Sequence, residues 1–312
     1  PKFEVIFVDE AQDLSLIQWD IVKKLEKNSK QSIIAGDDDQ AIYKWNGADA
    51  DSFINLEGEK VILQQSYRVP QKIFNVANNI IKKVKNRVEK NWVPKEDLGE
   101  VKYHWEIDKV DLSEGEWLIL ARTNLFLEKI AYYLDQNDFY FQRRNSTPRV
   151  KNIYSLIENW NKLREGIPLH YNDYKKITNK MSKNVDLKSM KHMSKEDFYD
   201  MDTLKEKYGL KTDDEWYIAF DDLGDHEISK IQKLIKKGED LSKDPRIKIS
   251  TIHGVKGNER DNVVLITDLS NAAYYKYLDN PDDEHRLFYV GVTRAKKELN
   301  IIYAKTERGY DI

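Results

Sequence analysis

The stretch Glu4-Val-Ile-Phe-Val-Asp9-Glu10-Ala-Gln12-Asp13 decides how the rest of the chain is interpreted. The apolar run from Val5 to Val8 is rich in β-branched and aromatic residues, which predicts a strand buried on both faces. It ends at the carboxylate pair Asp9-Glu10, and parallel α/β sheets bind ligands at that edge. In a nucleotide-hydrolysing site the first carboxylate can hold Mg²⁺, and the second can orient or deprotonate the attacking water. The alternative is an acidic helix N-cap, since Asp and Glu favour that end of a helix.

A second buried strand is predicted over residues 31–35, and it ends in Gly36-Asp37-Asp38-Asp39-Gln40. Two strands that both end in polar residues indicate one shared edge of a parallel sheet. Gln40 can sense a terminal phosphate or its attacking water, and an aromatic residue such as Tyr43 or Trp45 can stack on a base. The alternative is an acidic turn followed by core aromatics.

A third strand, predicted over residues 60–63, precedes the dipeptide Tyr67-Arg68. The tyrosine ring offers a face for adenine, and the guanidinium offers donors for phosphate oxygens. An amphipathic helix is then predicted between Pro70 and about Lys90. Its basic face, which either is solvated or contacts nucleic acid, carries Lys82, Lys83, Lys85 and Arg87.

Composition limits the class of protein. The formal net charge of -3 carries no global basic signature, so a nucleic-acid surface must be local. The absence of cysteine from the sequence excludes disulfides and thiolate metal sites, and the six histidines show no metal-ligand spacing. No apolar run approaches the about 18 residues of a membrane helix, and no signal peptide is evident. We therefore expect a cytoplasmic protein without a membrane partner.

Together with two segments near the end of the chain, these motifs resemble those of the UvrD/PcrA/Rep family of superfamily 1 DNA helicases. Motifs II, III and IV of the family are matched by Asp9-Glu10-Ala-Gln-Asp13, Gly36-Asp-x-x-Gln40-x-Ile-Tyr43-x-Trp45-x-Gly-Ala48 and Ser66-Tyr67-Arg68. Motif V is resembled by Ser250-Thr251-Ile-His253-Gly-Val-Lys256-Gly257-Asn-Glu259, and motif VI by Arg286-Leu-Phe-Tyr289-Val-Gly-Val-Thr293-Arg294-Ala295. The order and rough spacing of the motifs also agree with the family.

The resemblance implies an α/β fold with two RecA-like parallel-sheet domains, the first incomplete, and a mainly helical insertion in the second. Residues 1–69 would be the remainder of the first domain. The second domain would comprise residues 70–146 and 244–312, with motifs V and VI in the latter range. Residues 147–243 would be the insertion, a reduced counterpart of the family's 2B subdomain. This insertion either packs on its host domain or binds duplex DNA.

The resemblance also implies that ATP and Mg²⁺ bind in a cleft between the two RecA-like domains. Asp9 would take part in Mg²⁺ binding and Glu10 would activate water. Gln40 would contact the γ-phosphate, while Arg68 and Arg294 would act as arginine fingers. Phosphoryl transfer is catalysed mainly by positioning and charge neutralisation, which suits these residue types.

The remaining candidates would contact the nucleoside or the DNA. Tyr67 would stack on adenine and Glu259 would meet the ribose. The candidates for the DNA side, which in the family lie near the path of the single strand, are Tyr43, Trp45, Arg122, Asn124, Thr251 and His253.

Three features depart from the family. The sequence contains no Gly-x-x-x-x-Gly-Lys-[Ser/Thr] loop to cradle the β- and γ-phosphates. In the family that loop lies upstream of the Asp-Glu strand, so we expect a fragment that hydrolyses little ATP unless that region completes it. Asn46 stands where the family commonly has arginine. Asn258 and Arg260 flank Glu259 where apolar residues are usual, which weakens the ribose assignment.

The sequence thus predicts an ATP-dependent DNA helicase or translocase that moves on single-stranded DNA, by analogy in the 3′ to 5′ direction. Its expected partners are single-stranded DNA or a single-strand/duplex junction, and accessory replication or repair proteins. One alternative is a non-catalytic DNA-binding or scaffold module derived from a helicase. Another is the motor of a recombination helicase-nuclease.

Overall fold

The computed structural model describes residues 2–143 and 146–312. Residues 1, 144 and 145, which the predicted domain ranges include, lie outside the described residues. The strands are β1 (Phe3–Val8), β2 (Ser29–Ile34), β3 (Glu100–His104), β4 (Trp117–Ala121), β5 (Phe141–Arg143), β6 (Leu169–His170), β7 (Phe198–Tyr199), β8 (Ile247–Thr251), β9 (Arg260–Ile266) and β10 (Ala295–Ile302). The α-helices are α1 (Leu16–Glu26), α2 (Ala50–Ile54), α3 (Gln71–Ile81), α4 (Asn124–Gln136), α5 (Arg149–Arg164), α6 (Tyr171–Thr178), α7 (Met201–Lys207), α8 (Trp216–Ala219), α9 (Asp225–Lys236), α10 (Asn271–Asp279) and α11 (Pro281–Val292).

The chain divides into two compact units. The first comprises Pro1–Ala131 with Arg246–Ile312, and the second is Tyr132–Pro245. All the motifs quoted above lie in the first unit. The predicted insertion, residues 147–243, falls inside the second.

A parallel sheet forms the centre of the first unit, with the strand order β3-β10-β9-β4-β8. Every pairing among these strands is parallel, and all five residues of β4 are buried. A central parallel strand is covered by helices on both faces, which explains the continuous apolar run Trp117-Leu-Ile-Leu-Ala121. The predicted α/β fold with a parallel sheet is therefore confirmed.

Helices α3 and α11 pack into the core of this unit. The predicted apolar face of α3 is buried at Ile73, Ala77, Ile80 and Ile81. The helix ends at Ile81, so the predicted helical basic face was wrong: Lys82, Lys83, Lys85 and Arg87 all lie beyond the helix. Helix α11 begins with Pro281 at its first position and acidic residues in its first turn, as the helix dipole favours.

Strands β1 and β2 pair in parallel as a separate two-stranded sheet. Helix α1 packs beside them, and its Trp19 and Val22 form a small core with Ala11. The prediction that β1 is buried on both faces was wrong, because Phe7 is 75% exposed and Val5 is 39% exposed. Among the described residues, α1 and Phe53 of α2 supply the apolar cover for this strand pair, and the side chains of Val5 and Phe7 remain open to solvent.

The predicted strand over residues 60–63 was also wrong. Val61 and Leu63 are 77% and 87% exposed, and the segment joins no ladder in the described part of the chain. A single parallel bridge forms just after it, between Gln65 and Val93. An apolar β-branched run has strand propensity, but a strand also needs a partner edge.

The second unit is mainly helical, as predicted for the insertion, with one short antiparallel pair of β6 and β7. It has its own apolar core, in which Trp160, Tyr174, Phe220 and Leu234 are fully buried. Trp160 and Phe220 meet edge to face with 6.0 Å between ring centroids, a favoured aromatic arrangement. None of the helices in residues 2–143 and 146–312 combines the length and apolar character that a membrane span requires.

Candidate active site

The polar residues that follow β1 and β2 lie at one edge, as the sequence predicts. The two strands run parallel, with Val8 opposite Ile34, so Asp9 and Gly36 follow neighbouring strand ends. Two backbone hydrogen bonds tie the ends together: Ala35 N donates to Val8 O at 2.7 Å, and Ala11 N donates to Ala35 O at 3.0 Å. Motifs II and III are therefore held at fixed positions relative to each other.

Gln12 joins the two motifs through its side chain. It is fully buried, its Nε2 donates to Glu10 Oε2 at 2.6 Å, and its Oε1 accepts from Asp37 N at 2.9 Å. Glu10 has a left-handed backbone, with φ of 53°, and its N–H donates to Asp9 Oδ1 at 2.8 Å. A Cβ at Gly36 would lie 2.6 Å from Gln12 Oε1, so this approach requires glycine. The carboxylate of Glu10 is thus held at a defined place.

Gln40 and Arg294, predicted from motifs III and VI, are in direct contact. Arg294 Nη2 donates to Gln40 Oε1 at 3.1 Å, while its Nε donates to Val290 O at 3.0 Å. Arg294 is only 2% exposed. Burial, followed by the charge of Arg68, lowers its pKa to about 10, which keeps the guanidinium charged at neutral pH. A buried cation is therefore aimed at the glutamine that would face the γ-phosphate.

Arg68 and Glu259 also meet in the structure. Arg68 Nη1 lies 3.0 Å from Glu259 Oε2, and Lys296 Nζ lies 2.9 Å from the other carboxylate oxygen. Burial raises the pKa of Glu259, but Lys296 and Arg68 together bring it below its ordinary value. The ring of Tyr67 is 88% exposed and open to stacking. A ribose bound at Glu259 would therefore have to share its carboxylate with Arg68 and Lys296.

Lys256 is a site residue that the sequence analysis did not assign, although it lies inside motif V. Its Nζ lies 3.2 Å from Glu10 Oε2, bonds Asp13 Oδ2 and donates to the carbonyl of Gln40 at 3.2 Å. Burial raises the pKa of Asp13, and Lys256 offsets only part of that rise. The side chain of Lys256 is 8% exposed, so motifs II, III and V are joined through one nearly buried ammonium.

Three aromatic residues predicted for the DNA side form a cluster. The ring centroids of Trp45 and His253 are 6.0 Å apart, and those of Tyr43 and Trp45 are 6.4 Å apart. Tyr43 Oη donates to the carbonyl of His253 at 2.9 Å. Trp45 is 68% exposed, which leaves its ring accessible to a base. Motifs III and V are thus linked through these rings.

The other candidates for DNA contact have different surroundings. Arg122 Nε pairs with Glu284 Oε1 at 2.6 Å, and both side chains are largely buried. Asn124 is exposed at the start of α4. Thr251 Oγ1 accepts from Gly254 N at 3.1 Å and so stabilises the turn that carries His253. Among these three, Asn124 has the side chain most open to a ligand.

The residues present fit an Mg²⁺ ion only with help from a nucleotide. In the described residues no group of three or more His, Cys, Asp or Glu side chains could hold a metal ion by itself. Mg²⁺ is usually bound by one or two carboxylates together with phosphate oxygens and water. Asp9 is exposed at the strand end beside Glu10, which suits that kind of binding.

Comparison with known proteins agrees with the motifs. Residues 1–60 match the UvrD/REP helicase N-terminal domain, and residues 122–306, more than half of the chain, match the UvrD-like helicase C-terminal domain. The ATP-dependent DNA helicase PcrA of Bacillus subtilis strain 168 is 24% identical over 419 aligned positions, which cover 97% of this chain and 55% of that protein.

Two shorter alignments have a higher sequence identity. PcrA of Staphylococcus epidermidis strain RP62A is 34% identical over 124 residues, covering 38% of this chain and 17% of that protein. PcrA of Staphylococcus aureus strain Mu50 is 35% identical over 123 residues with the same coverage. The chain spans about half the length of the Bacillus subtilis relative. Because the motifs meet in one site and both family domains match in their order, the chain belongs to the UvrD-like helicases.

Proposed function

We propose that this chain works as part of an ATP-dependent DNA helicase or translocase that moves on single-stranded DNA in the 3′ to 5′ direction. The observation that carries the proposal is the contact of 3.1 Å between Arg294 Nη2 and Gln40 Oε1. It joins motif VI to motif III beside the carboxylates that follow β1. Such a contact lets the residues that sense a terminal phosphate act together.

The chemistry proposed for the site is phosphoryl transfer to water. Glu10 orients and deprotonates the attacking water, Gln40 contacts the γ-phosphate, and Arg294 and Arg68 neutralise developing charge. An added guanidinium is worth about 10³- to 10⁵-fold in rate. Asp9 would help to hold Mg²⁺, which when bound supplies charge neutralisation at the phosphate oxygens.

DNA would be coupled to this site through motifs III and V. Trp45 would stack on a base, a contact worth about 1 to 3 kcal/mol. Lys256, whose Nζ lies 5.5 Å from the centroid of the Tyr43 ring, connects that aromatic cluster to Glu10 and Gln40. A change in the grip on the nucleotide would therefore alter the grip on DNA, which is the two-state behaviour of a motor.

The test is the ATPase activity of the full-length protein with and without single-stranded DNA. We expect DNA to stimulate hydrolysis, and Glu10→Gln to lower kcat by about 10²- to 10⁴-fold because the general base is lost. Glu4→Gln is the matched control, because Glu4 is exposed, pairs with the exposed Lys30 and lies outside the site. It should retain wild-type kcat.

Two outcomes would contradict the proposal. A folded wild-type protein without DNA-stimulated ATPase activity would leave the non-catalytic DNA-binding module as the better hypothesis. Full activity in Glu10→Gln would remove Glu10 as the general base. Unwinding of duplexes with a 3′ tail, compared with a 5′ tail, tests the direction of movement.

A further inference from the structure

Three consecutive carboxylates, Asp37, Asp38 and Asp39, follow β2; the side chain of Asp37 is 32% exposed, and the other two are withdrawn from water. Asp38 and Asp39 are 0% and 1% exposed. An unpaired buried carboxylate is strongly destabilising, so such a triplet requires cations close by. None of the three belongs to the residues that the proposed reaction uses directly.

Arg87 and Lys90, in the segment after α3, supply those cations. Arg87 binds Asp39 with two hydrogen bonds, Nε to Oδ1 at 2.8 Å and Nη2 to Oδ2 at 2.7 Å. Lys90 Nζ lies 3.0 Å from Asp37 Oδ1 and 3.0 Å from Asp39 Oδ2, and it also bonds Asp38. The two cations therefore differ: Lys90 reaches all three carboxylates, whereas the guanidinium of Arg87 pairs with Asp39.

Asp37 connects Lys90 to Gln40. Its Oδ1 faces Lys90, and its Oδ2 accepts from Gln40 Nε2 at 2.7 Å. A side-chain amide has a donor end and an acceptor end, so the carboxylate selects one of two orientations. With the NH₂ group on Asp37, the Oε1 of Gln40 is left to accept from Arg294.

The charges of the pair support this orientation. Burial raises the pKa of Asp37, but Lys90 and the hydrogen bond from Gln40 bring it below its ordinary value. Burial lowers the pKa of Lys90, but the charges of Asp37 and Asp39 raise it above its ordinary value. Both groups are thus ionised at neutral pH, and an ionised carboxylate accepts hydrogen bonds and cannot donate one.

We propose that Lys90 is a positioning residue for ATP hydrolysis. It holds Asp37 so that Gln40 keeps its oxygen on Arg294 and one amide N–H on Asp37, which leaves the second amide N–H for the γ-phosphate. Lys90 touches no substrate and acts through Asp37 and Gln40. This inference rests on the proposed function. The competing explanation is that Lys90 only compensates the charge of buried acids.

The experiment compares full-length variants in the DNA-stimulated ATPase assay, with the thermal midpoint measured for each. Lys90→Met should lower kcat by about 10- to 100-fold, because misplacement of a catalytic group has costs of that order, with little change in the KM for ATP. Lys90→Arg, which keeps a cation near Asp37, should recover most of the loss. Arg87→Met is the matched control: it removes one cation from the same triplet but leaves Asp37 and Lys90 paired, so kcat should stay near wild type even if the midpoint falls.

A double-mutant cycle separates positioning from stability. Because Lys90 acts through Gln40, Lys90→Met combined with Gln40→Ala should have the same kcat as Gln40→Ala alone. Independent, multiplying losses would overturn the inference, and so would equal losses in Lys90→Met and Arg87→Met. If Lys90→Met does not fold, Asp37→Asn tests the same link and must show the same loss of kcat; wild-type kcat there overturns the inference. Wild-type protein without DNA-stimulated ATPase activity would overturn the proposed function itself, a result distinct from all of these.

Discussion

His253 is the residue whose ionisation should affect folding most clearly near neutral pH. Burial, followed by the charge of Arg122, lowers its pKa to about 4, whereas an unfolded chain would show about 6.5. Since the unfolded state then binds more protons as the pH falls, stability from this group is fully present above pH 6.5 and is lost as the pH falls through about 4. One pKa unit corresponds to about 1.36 kcal/mol, so the total loss of stability is about 3 kcal/mol.

The check is the free energy of unfolding in urea at pH 7 and at pH 4.5. The wild type should lose about 2 to 3 kcal/mol more over this interval than His253→Gln, which cannot titrate. Identical pH dependence in the two proteins would contradict the pKa assigned to His253. Both proteins carry the same carboxylates, so the titration of these groups contributes equally to the two pH dependences and cancels in their difference.

Single residues differ in how far sequence could identify them. Gln40 and Arg294 stand in recognisable motifs, so their roles could be predicted, although their mutual contact could not. Lys90 and Arg87 gave no such signal, because basic residues at the end of a predicted amphipathic helix indicate a face that is solvated or contacts nucleic acid. Their acidic partners precede them by about fifty positions, and only the folded chain brings these charges together.

Among the elements, α1 depends on its N-terminal cap. Ser15 Oγ accepts from the backbone N–H of Gln18, and Gln18 Oε1 accepts in return from Ser15 N at 2.8 Å, which forms a capping box. Ser15→Ala should destabilise the protein by about 1 kcal/mol, within the range of 0.5 to 2 kcal/mol for lost caps. Urea unfolding measures this change. Gln18→Ala should destabilise the protein less than Ser15→Ala. The two losses should not add in the double variant, because each substitution removes part of the same capping box. Additive losses would argue against a capping box at this helix.

Elements that are buried in the core of the first unit were the more predictable ones. The apolar period of α3 and the continuous apolar run of β4 each matched a buried element. The conformation of residues 60–63 and the burial of β1 were not predictable, because strand propensity says nothing about which surface covers a strand. Sequence gives a local propensity, while strand pairing and burial depend on what else is packed nearby.

For the molecule as a whole, the division into two units separates stability from chemistry. Every candidate site residue lies in the first unit, whereas Trp160 lies at the centre of the second unit's core and is fully buried. Trp160→Ala should cost about 3 to 5 kcal/mol of stability through lost burial and a cavity. At a temperature where the variant is still folded, its kcat for DNA-stimulated ATP hydrolysis should remain near wild type. A large loss of kcat in the folded variant would show that the second unit takes part in hydrolysis.

The large-scale organisation could be predicted only in outline. The resemblance to the family implied a helical insertion, and a separate unit is present at Tyr132–Pro245. Its limits differ from the predicted 147–243, because helix α4 and strand β5 give no compositional signal where one unit passes into the next. The compact core of this unit, with its buried tyrosines and tryptophans, could not be located from motifs.

At position 10 stability and chemistry favour different residues, because the backbone of Glu10 is left-handed. A non-glycine residue at φ of 53° carries a conformational penalty of about 1 to 3 kcal/mol, which glycine would relieve. A laboratory selection for heat resistance alone would therefore favour glycine or asparagine here and discard the carboxylate. Thermostable variants from such a screen should be sequenced at position 10 before they are used as enzymes.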